Sequence, residues 1–372
     1  MGSKIWRYVL YALVWGAVGV YVVYSATRVR QNRKAQIINS VEIIIADSAM
    51  HGNLITTPMV EKWVENSGVK VVGRTLTEIP ICDIESYILR NGFVDKAKIY
   101  PTRSGVLKVE LSQRRAVMRL LMTGYNGYST KDGYVFEAPN FASMYLPIIT
   151  GSYKPPFPPS YKGSIKDFMR SETKRMEVQI VEIEREKYPL YRQEQENLEN
   201  MRDVRKMNTK QRWFESDEKF EKRVLELRAH KAELRKLYRY RGKVITEQIA
   251  KISEKQKQVK DAEKKMQKRC EDFANLINFV HIVENSKFWS SEVVQIIASQ
   301  SPSGELRVNL SVRSGDFEVV LGSIQNSNDK ESESVEDRLD KLMKFYQDGL
   351  RRVGWNKYRS INIEYKGQVV CK

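Results

Sequence analysis

The feature that most restricts the fold is a run of twenty residues without a charged side chain, from Tyr8 to Thr27. An α-helix needs about 20 mainly apolar residues to cross the hydrocarbon core of a membrane. Aromatic residues prefer the two membrane–water interfaces, and we assign Tyr8, Trp15 and Tyr24 as anchor residues. The run is too long and too aromatic for a cleaved signal peptide. We therefore predict a short N-terminal segment, residues 1–7, followed by a transmembrane helix, residues 8–27.

The charges that flank this run bear on its orientation. Lys4 and Arg7 precede it, whereas four basic residues follow it: Arg28, Arg30, Arg33 and Lys34. Lys and Arg residues that flank a transmembrane helix tend to lie on the cytoplasmic side of the membrane. A plain count therefore favours a C-terminal body on the cytoplasmic side.

The chain as a whole is strongly basic. Of its 372 residues, 63 are Lys or Arg and 46 are Asp or Glu, which gives a formal net charge of +17 at pH 7. Such an excess favours an anionic partner, although a solvated charged surface explains it as well. Outside the long helical segment of about residues 164–269, which is described below, no compact Arg/Lys cluster is interleaved with aromatic residues. A basic, membrane-anchored nucleic-acid-binding protein with a cytoplasmic body therefore stays open as an alternative.

Cysteine and histidine give no metal-binding pattern. Cys82, Cys270 and Cys371 lie far apart and form no C-x-x-C pair, and the three histidines are isolated. We therefore predict neither a metal nor a cofactor, and leave open a disulfide between two of the cysteines. Catalytic motifs such as G-x-S-x-G, the P-loop and G-x-G-x-x-G do not occur in a strand-to-helix context. We predict no catalytic residue and no enzymatic activity.

Residues 36–115 have the pattern of a small α+β module. Val41–Ile45 alternates like a half-buried strand, and Thr57-Pro58 is typical of a helix start. A second helix ends before Asn91-Gly92. Two strands follow, and the second has three apolar residues on one face: Leu107, Val109 and Leu111.

A second, β-rich domain is interrupted by a long helical segment. Strand-like patterns fill residues 116–152 and resume within residues 275–372. Between them, residues 153–274 begin with the Pro-rich stretch Lys154–Ser160, which can form neither a helix nor a central strand. From about Ser164 to Arg269 the chain is rich in Glu, Lys, Arg and Gln. We predict a Pro-rich exit and a long helical hairpin inserted into the β-domain.

The second arm of this hairpin carries a seven-residue repeat. One column of the repeat is apolar: Val224, Tyr238, Ile245, Ile252, Val259, Met266 and Phe273. Lys231 interrupts this column, and the companion column turns polar after Leu234, which favours an antiparallel hairpin over a parallel coiled-coil dimer. In the first arm, Pro189 should kink or break the helix. The insertion is either a lever or docking arm or a segment tolerated because its two ends meet.

The C-terminal segment has a period of two. Its apolar face contains Ile361, Ile363, Tyr365, Gly367, Val369 and Cys371, and its polar face contains Asn362, Glu364, Lys366 and Gln368. As a terminal strand at a sheet edge, it would leave backbone donors and acceptors free to pair with a strand of another chain. The alternative is an ordinary closing strand, paired on both sides.

Two parts of the chain resemble known families. Asp83–Arg115, DIESYILRNGFVDKAKIYPTRSGVLKVELSQRR, resembles a POTRA domain, although Gln113–Ala116 replaces the E-R-x-P-like motif with which that family ends. Phe288-Trp289, the helix end FYQDGL and the two C-terminal stretches Gly354–Tyr358 and Tyr365–Cys371 resemble FtsQ (DivIB) cell-division proteins, particularly those of Bacteroidetes. The resemblance covers about residues 1–152 and 275–372, and the helical insertion lies outside it.

The FtsQ resemblance implies a scaffold without catalytic activity. It implies an inner-membrane protein of the division septum that crosses the membrane once, with residues 1–7 in the cytoplasm and the body in the periplasm, against the count of flanking charges. Its partners would be small coiled-coil division proteins like FtsB and FtsL, together with septal peptidoglycan synthesis proteins, and no nucleic acid. The implied partner-binding residues are Trp355, Tyr358, Arg359, Ser360, Asn362, Glu364, Tyr365, Lys366 and Gln368.

The predicted fold class is therefore α+β. It comprises an N-terminal transmembrane helix, a POTRA-like module and a mixed β-domain interrupted by a long antiparallel helical hairpin. A POTRA-bearing assembly factor is a further alternative, disfavoured because only one such module precedes a domain that is not a barrel.

Overall fold

The computed structural model describes residues 2–34, 36–46, 54–122, 124–139, 144–325 and 333–372, without the side chains of residues 2–12 and 30–34. The chain divides into two compact units. The first unit combines residues 1–164 with 274–372, and the second is residues 165–273.

The N-terminal segment is a single helix, α1 (Gly2–Lys34), which contains the predicted span. Among the residues that the structure describes, no helix has both the length and the apolar character required to cross a membrane. The side chain of Tyr8 lies outside the described residues. Trp15 and Tyr24 lie on the helix and are 73% and 57% exposed.

A small three-stranded module follows. It contains β1 (Ser40–Ala46), α2 (Thr57–Asn66), α3 (Ile81–Leu89), β2 (Val94–Pro101) and β3 (Val106–Gln113). Strand β3 lies in the centre, parallel to β1 and antiparallel to β2. The alternating residues of β3 are buried in a core with residues from both helices: Leu107, Val109, Leu111, Val60, Val64, Ile84 and Ile88. This part of the chain is therefore an α+β module, as the sequence pattern predicts.

The second domain is a ten-stranded sheet that is assembled from both sides of the insertion. Its first strands are β4 (Ala116–Met122), β5 (Tyr125–Thr130), β6 (Tyr134–Glu137), β7 (Ile148–Thr150) and β8 (Gly163–Ser164). Its C-terminal part contains the short helix α6 (Trp289–Glu292) and strands β9 (Val293–Gln300), β10 (Leu306–Val312) and β11 (Glu318–Ser323). Strand β7 pairs in parallel with both β4 and β9, and thereby joins the two parts.

Between β8 and α6 the chain forms two long helices, α4 (Ile165–Lys206) and α5 (Asp217–Asn285). Lys187 Nζ donates to Gln256 Oε1 at 2.7 Å, and Asn197 Nδ2 donates to the carbonyl of Tyr238 at 3.0 Å. Residues that come later in α4 therefore meet residues that come earlier in α5, so the arms are antiparallel. The apolar column of α5 lies on its less exposed face, and Ile245, Met266 and Phe273 are buried.

Two residues that disturb the sequence pattern are accommodated within the hairpin. Helix α4 continues through Pro189, so of the expected kink or break, the break does not occur. Pro189 is exposed, and water can reach the carbonyl that its missing N–H leaves unpaired. Lys231 is the charged residue in the otherwise apolar column of α5. Its Nζ donates to two carbonyls at the C-terminal end of α4, those of Arg205 at 3.2 Å and Met207 at 2.8 Å.

The chain ends in a helix and a small hairpin. Helix α7 (Val335–Phe345) continues through a π-helical turn (Tyr346–Leu350) into α8 (Arg351–Val353). Strands β12 (Ser360–Asn362) and β13 (Val370–Cys371) follow. The single C-terminal strand expected from the alternating pattern of residues 361–371 is therefore wrong. The chain reverses between residues 363 and 369, where Gly367 has a φ of +66° that favours glycine.

Candidate partner-binding edge

The C-terminal hairpin forms one edge of the ten-stranded sheet. The order at this end is β13, β12, β11, β10, with β12 parallel to β11 and antiparallel to β13. The peptide N–H of Ser360 donates to the carbonyl of Lys372 at 3.2 Å, and the N–H of Lys372 donates to Ser360 at 2.9 Å. Strand β12 is thus paired on both sides, and β13 is the edge strand.

The hydrogen-bond pattern shows which backbone groups face outward. Ser360 and Lys372 exchange both of their hydrogen bonds, and Asn362 lies opposite Val370. In an antiparallel pair, alternate residues turn their N–H and C=O groups toward the partner strand. The backbone of Val370 and Lys372 therefore faces β12, and the N–H and C=O of Cys371 face away from the sheet.

The turn between β12 and β13 is held by Lys341 in the middle of α7 and by Glu333 in the segment before that helix. Glu333 Oε1 accepts from the N–H of Gly367 at 2.8 Å, and its other oxygen pairs with Lys341. Lys341 Nζ also donates to the carbonyl of Tyr365. Burial raises the pKa of Glu333, but the hydrogen bonds from Lys341 and Gly367 outweigh burial and hold that pKa below its ordinary value.

Glu364 is engaged within the sheet rather than free for a partner. It forms an ion pair with Arg307 of β10, and its N–H donates to Asn362 Oδ1 at 2.9 Å. Its side chain lies directly over Gly322 of β11, where a Cβ would come within 2.5 Å of Glu364 Cδ. Glu364 thus stabilises the edge from its inner side.

An aromatic cluster surrounds Tyr346 and includes Trp355, which precedes β12 in the chain. The ring of Tyr346 lies 5.1 Å from Trp355, 5.6 Å from Trp289 and 6.0 Å from Phe288, all in edge-to-face arrangements. Phe317 lies 6.1 Å from the same ring. Burial, together with the charge of Glu292, raises the pKa of the buried Tyr346 above its usual range. Trp355 is half-buried in this cluster and positions the chain that leads to β12.

The nine predicted partner-binding residues fall into two groups. Four are exposed: Arg359, Tyr365, Lys366 and Gln368. Five are half-buried: Trp355, Tyr358, Ser360, Asn362 and Glu364. The sequence pattern did not reveal Glu333, Lys341, Arg307 or Tyr346, because each meets the hairpin or Trp355 across a separation that no local periodicity records.

Two families match the chain by sequence. The model described as FtsQ/DivIB, C-terminal related, matches residues 228–372. The model of the POTRA-like domain matches residues 36–112, which form the three-stranded module. Together the two matches support an FtsQ/DivIB-family protein.

Other comparisons add little to these two matches. No curated protein matches the chain. One similar solved structure is POTRA1-2 of the periplasmic domain of Omp85 from Anabaena, at 16% identity and a TM-score of 0.19. The match covers 23% of this chain and 50% of that one, so it spans half the length of that relative.

The matched range corrects one expectation about the helical hairpin. The FtsQ/DivIB match begins at residue 228 and therefore includes most of the second arm, α5. The expectation that the whole insertion lies outside the family pattern is wrong for residues 228–274. The first arm, α4, lies outside both matched ranges.

The three cysteines are not paired. All three are free: Cys82 is exposed, Cys270 is buried and Cys371 is half-buried. Burial raises the pKa of the Cys270 thiol to about 11, which makes it a poor nucleophile at neutral pH. Within the described ranges, no group of three His, Cys, Asp or Glu side chains could hold a metal ion.

Proposed function

We propose that this chain is a membrane-anchored scaffold, without catalytic activity, that recruits and positions other division proteins at the septum. The FtsQ/DivIB and POTRA-like matches support this role, because both families consist of protein-interaction domains. The proposed contact is with a small coiled-coil protein of the FtsB/FtsL kind. Septal peptidoglycan synthesis proteins are further proposed partners.

The proposed anchor is the uncharged part of α1. Between Leu13 and Tyr24 the large apolar side chains are exposed, from Val18 at 45% to Trp15 at 73%. Side chains of this kind are stable when a hydrocarbon phase covers them. The short segment 1–7 would lie in the cytoplasm, and the POTRA-like module and β-domain in the periplasm.

The observation that carries the proposed contact is the edge position of β13. A partner strand can pair there with the N–H and C=O of Cys371, because β12 already uses the neighbouring backbone groups. We therefore propose strand addition at residues 369–371 rather than at Asn362 and Glu364. The exposed Tyr365, Lys366 and Gln368 lie in the adjacent turn and would provide specificity.

The test is a pair of substitutions at Cys371 in the full chain. Cys371→Pro removes the outward N–H but keeps the inward bonds of Lys372, and should reduce capture of the coiled-coil partner about tenfold. Cys371→Val keeps the N–H and should capture the partner like the wild type. Equal capture by both variants would rule out strand addition at β13.

A topology reporter fused after Lys372 tests the proposed orientation. A periplasmic signal is expected from the family assignment. A cytoplasmic signal would defeat the septal role and favour the nucleic-acid-binding alternative, which the net charge of +17 motivates.

A further inference from the structure

The loop that joins the two arms of the hairpin exposes two large aromatic side chains. We call this loop, residues 207–216, the hairpin tip. Trp213 is 93% exposed and Phe214 is 98% exposed, and their ring centroids lie 6.3 Å apart. Leaving two such rings in water is unfavourable, so an adjacent exposed pair marks an interaction site.

The hairpin tip is an ordered turn. Glu215 pairs with Arg223 of α5 at 2.6 Å and accepts from the N–H of Arg212 at 3.1 Å. Gln211 donates to Asp217 Oδ1 at 2.8 Å, at the start of α5. These contacts fix the backbone on both sides of Trp213 and Phe214. They also neutralise Glu215, the acidic residue next to the two rings.

The positive charge of the hairpin is concentrated near the tip. Residues 202–243 contain 15 basic and 7 acidic residues. The rest of the second unit, residues 165–201 and 244–273, contains 15 of each. All of the unit's excess positive charge therefore belongs to the part next to the hairpin tip.

Basic and apolar residues share one exposed face of α5 in this part. Leu225, Lys236, Tyr240 and Lys243 follow one another at spacings of 11, 4 and 3 residues, which places them on the same side of a helix. Leu225 is 62% and Tyr240 is 68% exposed, and both lysines are exposed. Arg239 adds a further exposed cation three residues after Lys236.

We propose that residues 202–243 bind the surface of an anionic lipid bilayer. Trp213 and Phe214 enter the interfacial layer, and the exposed face of α5 lies along the headgroups. Apolar side chains and nearby Lys or Arg act together in such binding, because the apolar part is buried while the cation stays at headgroup level. Each basic residue near an anionic surface adds to the attraction.

A bilayer fits these residues better than other anionic partners do. Nucleic acid would use the cations and rings, but it offers little to the exposed aliphatic side chains of Leu225 and Leu237. An acidic protein would need a surface matched to both arms and the hairpin tip. A lipid surface accepts the rings, the aliphatic side chains and the dispersed cations without shape complementarity.

The test uses the full chain held in phosphatidylcholine nanodiscs. Flotation is measured with vesicles of phosphatidylcholine alone and of phosphatidylcholine with an equal amount of phosphatidylglycerol. We expect the protein to float only with the anionic vesicles, and the binding to weaken as salt is added. Trp213→Ser with Phe214→Ser should weaken the binding about tenfold or more.

Two pairs of charge-reversal substitutions distinguish the effect of local charge in residues 202–243 from the effect of the total net charge. Lys236→Glu with Arg239→Glu should weaken binding to anionic vesicles at least about tenfold. Lys257→Glu with Lys264→Glu changes the net charge equally in the neutral part of the hairpin and should have little effect. All four side chains are exposed, so thermal unfolding should stay unchanged. Equal losses in both pairs, equal binding to both vesicles, or tighter binding to a labelled single-stranded oligonucleotide would overturn the proposal.

Discussion

At the scale of single residues, Gly151 allows the two parts of the ten-stranded sheet to approach each other closely. It follows β7, which pairs with β9 across the insertion, and it has a φ of +114°. A Cβ at this position would lie 2.1 Å from the carbonyl oxygen of Ala298 in β9. The same oxygen accepts from the N–H of Tyr153 at 3.1 Å. The close approach of β7 and β9 therefore requires a residue without a side chain.

We predict that Gly151→Ala lowers the free energy of unfolding by at least about 2 kcal/mol, because it adds a backbone clash to the cost of the positive φ. Gly304→Ala is the matched control, since Gly304 has a φ of +81° but open space around it. It should cost only about 1 kcal/mol. Urea unfolding followed by tryptophan fluorescence measures both. Equal losses would mean that the contact with Ala298 contributes nothing.

At the scale of elements, local patterns predicted the strands and helices that have one buried face. The alternation of Leu107, Val109 and Leu111 identified β3, and the seven-residue column of α5 identified its inner face. The C-terminal hairpin escaped prediction because residues 361–371 keep a period of two through the turn. The reversal depends on Glu333 and Lys341, which lie 34 and 24 residues before the groups that they bind.

This dependence makes the C-terminal hairpin sensitive to pH and to the charge of Glu333. Because the pKa of Glu333 is lowered in the folded protein, its contribution is present at neutral pH. It is lost as the pH falls through the folded-state value, below the ordinary pKa of about 4.3. Glu333→Gln removes the same contribution at every pH.

We predict that Glu333→Gln speeds amide hydrogen exchange at Gly367 about tenfold at neutral pH, because a charge-assisted hydrogen bond is weakened. Asp340→Asn, at an exposed position of α7, is the control and should leave exchange unchanged. Mass spectrometry of peptides that cover residues 363–372 provides the measurement. Similar exchange in both variants would show that the turn does not need Glu333.

At the scale of the whole molecule, the order of the modules could be predicted from the sequence, but the strand that forms the free sheet edge could not. The resemblance identified the POTRA-like module and the FtsQ/DivIB-related domain, and the change in composition located the helical hairpin. The edge strand could not be assigned from the sequence, because the choice between β12 and β13 depends on pairing within the sheet. The positive charge in residues 202–243 could be interpreted as part of a lipid-binding surface only after the structure showed that Trp213 and Phe214 are exposed.

The two proposed interactions use different units of the chain, so they should be separable. We predict that replacing residues 165–273 with a flexible Gly/Ser linker of about 20 residues leaves capture of the coiled-coil partner intact, since β12, β13 and the aromatic cluster all belong to the first unit. The same variant should lose binding to phosphatidylglycerol-containing vesicles. Partner capture by pull-down and vesicle flotation are measured on one preparation, with Cys371→Pro in the intact chain as the reciprocal control. Loss of partner capture in the linker variant, with its thermal unfolding unchanged, would show that the hairpin takes part in the division contact itself.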